Sequence, residues 1–132
     1  MIKNIVFDMG NVILRWDPHY IASKLSNDSL EQEVIERELF ASKQWQKLDQ
    51  GLLTVEEALK ELKTDNPQLI RHALLHWYDY FEPFAEMVAL VKELKEQGYH
   101  IYLLSNCSLQ FDDYYQNIAY LEVLDQKSQR LK

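Results

Sequence analysis

Two polar clusters hold the residues of this sequence that could do chemistry together. Asp8 and Asn11 follow an apolar run at residues 2–7, and Ser105 and Asn106 follow another at residues 101–104. A carboxylate can act as a nucleophile, whereas hydroxyl, amide and loop N–H groups can hold an anion. If the two runs are neighbouring strands, the sequence predicts a crevice in which the Asp8 carboxylate faces Ser105 and Asn106.

The two apolar runs are the elements that must position these clusters. Each run is short and mostly apolar, with Ile2, Ile5, Val6 and Phe7 in the first, which is typical of a strand buried on both faces of a parallel sheet. We predict strands at residues 3–7 and 101–104, and only these two. Ligands of open parallel sheets bind beyond the carboxyl ends of the strands, which is where both clusters fall.

The segment between the runs has the periodicity of helices. Capping-box pairs, prolines in a first turn and a glycine stop mark helix ends. These markers are Pro18, Ser29 with Gln32, Thr54 with Glu57, Pro67, Pro83 and Gly98, and a further helix is expected at about residues 109–118. The 93 residues from 8 to 100 far exceed the ~30 residues of a simple βαβ unit. We therefore expect an α/β fold in which a partial core, residues 1–16 and 82–132, carries a helical insert, residues 17–81.

The composition restricts the class of partner. The chain has 132 residues, of which 47% are apolar, so it can bury one core. Its 14 basic and 21 acidic residues give a net charge of -7, which argues against nucleic acid and anionic membranes. No window reaches the ~18 apolar residues of a membrane span, and no signal-peptide pattern is present. With Cys107 as the single cysteine, we expect a cytoplasmic protein.

At the two polar clusters the sequence resembles the haloacid dehalogenase (HAD) superfamily of hydrolases. Residues 7–12, FDMGNV, are similar to the nucleophile motif of that family, and residues 103–106, LLSN, are similar to its phosphate-binding motif. The helical insert lies where the family places its small cap. The Gly-Asn-Val form is most similar to a branch of small sugar-phosphate phosphatases.

The resemblance implies a Rossmann-like parallel core with a helical cap, and it implies roles for the motif residues. Asp8 would attack a phosphoryl group and form an aspartyl-phosphate, and Asp8 with the Gly10 carbonyl would ligate Mg²⁺. Ser105 and Asn106 would hold the transferring group, and Asn11 is a third candidate for substrate binding. The expected partner is a small phosphorylated metabolite, over which the cap would close to exclude water.

The sequence departs from the family pattern in two places. The family's second Asp, a general acid and base, is replaced by Gly10, as in the Gly-Asn-Val branch, so proton transfer has no assigned residue; Asp17 is a possible substitute. A lysine after a third strand and an acidic pair after a fourth are also expected, but only 28 residues follow Leu104. Leu131-Lys132 resembles the start of the lysine motif. We therefore expect a truncated or frame-shifted chain that is a poor or inactive enzyme and is marginally stable or self-associating.

Two other functions stay open. A metal-independent 2-haloacid dehalogenase would use the same Asp8 to displace halide, although that branch usually has a hydroxyl residue at the position of Val12. A non-catalytic remnant that binds a ligand or a partner is the other possibility.

Several further residues have plainer interpretations. His72 and His76 have the spacing of a metal pair but lack an evident third ligand, so we interpret them as surface or packing residues. Cys107 is interpreted as a buried small residue, and Asp112-Asp113 as part of a solvated helix. Five residues either line a substrate pocket or pack the insert, with neither alternative favoured: Arg15, Trp16, Tyr20, Trp45 and Asp49.

Overall fold

A computed structural model describes residues 1–105, 108–111 and 129–130. The chain divides into two compact units. The first, here called the sheet unit, comprises Met1–Trp16 and Glu82–Lys132, and the second, the helical unit, comprises Asp17–Phe81. That these units act as a catalytic core and a cap stays a prediction.

The described part of the sheet unit contains a parallel sheet and one helix. Its strands are β1 (Asn4–Phe7), β2 (His100–Ser105) and β3 (Gln129–Arg130), and its helix is α6 (Ala85–Glu96). The strand order is β1-β2-β3, with Phe7 opposite Leu103 and Ser105 opposite Arg130. The mixed α/β class and the parallel pairing of the two apolar runs are thus confirmed. Strand β3 was not predicted, because two polar residues give no apolar signal.

Burial in the two long strands differs from the expectation of two covered faces. Side chains alternate across a strand. Ile101 and Leu103, which share one face of β2, are buried, at 0% and 2% exposure. On the other face Val6 is 56% exposed and Leu104 38%. Helix α6 packs against β2. Among the described residues one face of the sheet is covered and the other is open, so the burial of both faces that the apolar runs indicate is not seen there.

The helical unit consists of five α-helices with short connections. They are α1 (Pro18–Leu25), α2 (Ser29–Val34), α3 (Lys43–Asp49), α4 (Val55–Glu61) and α5 (Pro67–His76). A π-helix, Ile35–Phe40, continues α2, and a 3₁₀ turn, Trp77–Tyr80, follows α5. No described helix is long and apolar enough to cross a membrane.

A continuous apolar core holds the helical unit together. Its fully buried side chains come from α1, the π-helix, α4 and α5: Ile21, Ala22, Ile35, Leu39, Ala58, Ile70, Ala73 and Leu74. Trp45 packs edge-on against Phe40 and Trp77, with ring centroids 4.9 and 5.1 Å apart. Edge-to-face aromatic pairs add to the stabilisation by area burial.

The predicted capping box at α4 is confirmed. Thr54 Oγ1 accepts the Glu57 N–H at 3.2 Å, and the Glu57 carboxylate accepts the Thr54 N–H at 3.1 Å. The hydrogen bonds from the Thr54 backbone and side chain lower the pKa of Glu57. Two donors that α-helices leave unpaired at their first turn are thereby satisfied.

Two other predicted helix starts were wrong by one or two residues. Asp28 caps α2 by accepting the Leu30 N–H at 2.9 Å, whereas the Gln32 side chain donates to the Ser26 carbonyl at 2.7 Å. A carboxylate directly before Ser29 competes successfully for the cap position. Helix α6 begins at Ala85, after Pro83, and Gly98 follows its end with φ of 94°. Most of the helix expected at 109–118 lies outside the described residues.

The capping of α2 gives a paired prediction. Asp28→Ala should lower the free energy of unfolding by about 1 kcal/mol, because the Leu30 N–H loses its acceptor. Ser29→Ala should change it by less than about 0.5 kcal/mol, as for an ordinary surface substitution. Urea unfolding of the whole chain, followed by far-ultraviolet circular dichroism, measures both. A larger loss for Ser29→Ala than for Asp28→Ala would restore Ser29 as the cap.

Candidate active site

The pairing of β1 with β2 brings Asp8 and Ser105 to one edge of the sheet. Asp8 directly follows Phe7, which lies opposite Leu103, and Ser105 is the last residue of β2. Neighbouring strands lie about 4.8 Å apart. The backbones at Asp8 and Ser105 are therefore close neighbours at the carboxyl edge, as the sequence predicted. Asn106 lies outside the described residues.

A tight loop after β1 holds Asp8 in place. The Met9 carbonyl accepts three backbone hydrogen bonds, from Val12 at 3.3 Å, Ile13 at 3.0 Å and Leu14 at 3.0 Å. Met9 is itself buried, at 4% exposure, and Ile13 and Leu14 are fully buried. Met9 before Gly10, and Ile13 and Leu14 after it, are thus anchored in the core. Sequence analysis missed this role of Met9, whose one signal is an apolar side chain inside a polar cluster.

Asn11 shapes this loop. Its φ of 56° lies in the left-handed region, where Asn is enriched among residues other than glycine. Its Oδ1 accepts the Trp16 N–H at 2.8 Å, and its own N–H donates to the Leu14 carbonyl at 2.7 Å. The side-chain NH₂ takes no part in these bonds. Substrate binding by Asn11 stays a prediction, next to this structural role.

The end of the loop is joined to the segment that leads into α6. The Arg15 N–H donates to the Glu82 carbonyl at 2.7 Å, and the Phe84 N–H donates to the Ile13 carbonyl at 2.8 Å. The Arg15 guanidinium lies over the Phe84 ring, 5.4 Å from its centroid. The two segments of the sheet unit that flank the helical insert in sequence are therefore fastened to each other.

The Asp8 carboxylate is exposed and accepts a hydrogen bond from the adjacent backbone N–H. Its Oδ1 accepts the Met9 N–H at 2.7 Å, and the side chain is open to solvent. One hydrogen bond to the adjacent N–H orients the group without covering it. A carboxylate held this way has a second oxygen available for an incoming electrophile or cation.

Asp8 and Gly10 offer the kind of ligand that Mg²⁺ selects. Mg²⁺ prefers oxygen atoms and is usually held by one or two protein carboxylates, with water and substrate phosphate completing the shell. Of the Asp8 loop carbonyls, those of Met9, Ile13 and Leu14 accept hydrogen bonds from backbone N–H groups. In the described part of the chain, no group of three His, Cys, Asp or Glu side chains could hold a metal. The Asp8 carboxylate and the Gly10 carbonyl are oxygen donors of the type that Mg²⁺ prefers, and together they supply two ligands.

Other candidate residues have structural roles where the structure describes them. Asp17 caps α1, since its Oδ1 accepts the Tyr20 N–H at 3.1 Å. Trp45 belongs to the aromatic cluster of the helical unit, which favours the packing interpretation for this residue. Cys107 and Asp112-Asp113 fall in the parts of the chain that are not described.

The known proteins that match this chain were found by comparing structures. No protein-family model and no curated protein sequence matches the chain. A HAD family enzyme from Bacteroides thetaiotaomicron, solved as a complex with magnesium and inorganic phosphate, matches with a TM-score of 0.61 and 20% identity over 97% of this chain. The chain has the HAD fold.

Other solved structures share the HAD fold with this chain. A magnesium complex of the same Bacteroides enzyme matches with a TM-score of 0.58 and 19% identity over 96% of this chain. A dehalogenase matches with a TM-score of 0.63 and 14% identity over 98% of it. The chain spans 66% of the first structure and 62% of the second, or about two thirds of their length. The resemblance in fold inferred from the two motifs is thus confirmed.

Substitutions at Asn11 test its role in the loop. Asn11→Ala should lower the free energy of unfolding by about 2 kcal/mol, because it loses the bond to the Trp16 N–H and places a Cβ-bearing residue without a compensating polar group at positive φ. Asn11→Gly should cost about 1 kcal/mol less, since glycine adopts this φ freely. Thermal or urea unfolding measures both. An alanine variant as stable as the glycine variant would contradict the assignment.

Proposed function

We propose that this chain is a HAD-type hydrolase, a Mg²⁺-dependent phosphatase of a small phosphorylated metabolite that acts through Asp8. The observation that carries the proposal is the exposed Asp8 carboxylate at the carboxyl end of β1, next to the end of β2. The HAD fold supports it, as does the neighbour whose structure holds magnesium and inorganic phosphate.

The proposed reaction has two displacements at phosphorus. An Asp8 carboxylate oxygen attacks the phosphorus of a monoester, and the bond from phosphorus to the ester oxygen breaks, giving an alcohol and an aspartyl-phosphate. Water then attacks the aspartyl-phosphate, releasing phosphate and restoring Asp8. Gly10 has no side chain that could transfer a proton, so we propose that solvent donates the proton that the departing ester oxygen needs to become an alcohol.

The remaining site residues would bind and orient. The Asp8 carboxylate and the Gly10 carbonyl would hold Mg²⁺, which neutralises phosphate charge when bound. Ser105 and Asn106 would donate hydrogen bonds to the transferring group, and the Asn11 NH₂ could add another. The helical unit would act as the cap, excluding water from the reaction.

Strand β3 directly precedes the residues that resemble the start of the HAD lysine motif. It is parallel to β2, with Arg130 opposite Ser105, so β3 runs toward the same edge as Asp8. The next residues in sequence are Leu131 and Lys132, which resemble the start of the lysine motif. Both residues lie outside the described part of the chain, so the resemblance of Leu131-Lys132 to the lysine motif stays a prediction.

A second candidate function has one specific observation in its favour. The dehalogenase neighbour has a TM-score of 0.63 to this chain. In that chemistry Asp8 would attack carbon and displace halide, with no need for a metal. Dependence on Mg²⁺ separates the two reactions, because only the phosphatase needs a cation to offset phosphate charge.

The test compares phosphate and halide release by the parent chain, Asp8→Asn and Asp65→Asn. Asp65 is an exposed carboxylate of the helical unit and serves as the matched control. With Mg²⁺, the parent should release phosphate from p-nitrophenyl phosphate at a turnover rate below ~1 per second, the low end of the range for ordinary enzymes. Asp65→Asn should have the same rate as the parent. Asp8→Asn should release none, because an amide is a poor nucleophile.

Three outcomes would contradict the proposal. Phosphate release by Asp8→Asn at the parent rate would remove Asp8 from the chemistry. Release of halide from a 2-haloacid without Mg²⁺ would favour the dehalogenase. Binding of phosphate with no release by the parent would favour the non-catalytic remnant.

A further inference from the structure

Two histidines of the helical unit form a cluster that the proposed function does not use. His72 and His76 lie one turn apart on α5, with ring centroids separated by 4.9 Å and ring planes inclined by 40°. Both residues are exposed, and the His76 side chain keeps 52% of its accessible surface. Residues four apart share one face of a helix, so both imidazoles are open to an ion from solvent.

Asp79 fixes the tautomer of the His76 ring. Its Oδ2 lies 3.2 Å from His76 Nδ1. An ionised carboxylate can only accept hydrogen bonds, so Nδ1 must carry the proton, and in the neutral ring the lone pair is then on Nε2. Metal-ligating histidines in proteins are held in this way by a carboxylate on the nitrogen away from the metal.

The charges at this end of α5 favour a cation. His76 is the last residue of the helix, and the helix dipole places a partial negative charge at this end. The Asp79 carboxylate adds a full negative charge. Arg71, which precedes His72, is engaged with Glu56 at 2.9 Å, so its positive charge is matched by that carboxylate.

We propose that His72 and His76 form a two-histidine site for a borderline transition-metal dication, Zn²⁺ or Ni²⁺, with Asp79 as a positioning residue. Imidazole nitrogens lie ~2.0–2.1 Å from Zn²⁺, so two rings whose centroids are 4.9 Å apart can both reach one ion. Among the described residues no third His, Cys, Asp or Glu completes the set. Water fills the remaining positions, and the ion exchanges readily. Mg²⁺ prefers oxygen ligands, so the site is chemically distinct from that at Asp8.

Calorimetric titration of the untagged full chain with ZnCl₂ and NiCl₂ tests this proposal. The parent should bind one ion per chain at this site. His72→Ala and His76→Ala should each weaken binding by at least about tenfold, and Asp79→Asn, which keeps both imidazoles, by roughly 10- to 100-fold. His19→Ala is the matched control, since His19 is an exposed histidine that bonds Glu36 elsewhere on the unit, and it should bind as the parent does.

Circular dichroism of each variant checks that the helices persist. If an alanine variant loses helix, Asp79→Asn still decides, because it retains both ligands. The proposal is overturned if the parent takes up neither ion, if the His72→Ala/His76→Ala double variant binds like the parent, or if His19→Ala weakens binding as much as His76→Ala.

Discussion

The parallel, in-register pairing of β1 with β2 is the constraint on which the rest of the site depends. With Phe7 opposite Leu103, the residues that follow each strand must leave the sheet at the same edge. A shift of one residue would turn every side chain of a strand to the opposite face. Because Ile101 and Leu103 are buried while Val6 and Leu104 are partly exposed, burial of one face selects this register.

The loop after β1 converts that register into a defined position for Asp8. Three N–H groups converge on the Met9 carbonyl, and Asn11 adopts a left-handed φ that lets the chain turn back. Buried backbone groups need partners, and this loop supplies them internally. Asp8 therefore stays exposed on a loop that is anchored in the core, as the proposed nucleophile requires in order to meet substrate without reorganising.

The sequence predicted those features that depend on local patterns. Short apolar runs predicted β1 and β2, and a Thr54–Glu57 spacing predicted the cap of α4, because periodicity and capping are properties of neighbouring residues. The Asp28 cap was missed because Ser29 offers an equally good pattern one residue later. Strand β3 depends on a contact between residues that are distant in sequence, Ser105 with Arg130, and no local pattern encodes it. The chemical roles of the Asp8 and Ser105 clusters rest on family resemblance and stay predictions.

The central claim is that the Asp8 carboxylate accepts the phosphoryl group, and trapping the acyl phosphate tests it most directly. The chain is mixed with a phosphate monoester and Mg²⁺, quenched, and reduced with borohydride, which converts an aspartyl-phosphate to homoserine. Peptide mass spectrometry then locates the reduced residue. The account predicts homoserine at position 8 in a substrate-dependent amount, with none in Asp8→Asn protein. Homoserine at another aspartate, or phosphate release with position 8 unmodified throughout turnover, would contradict it.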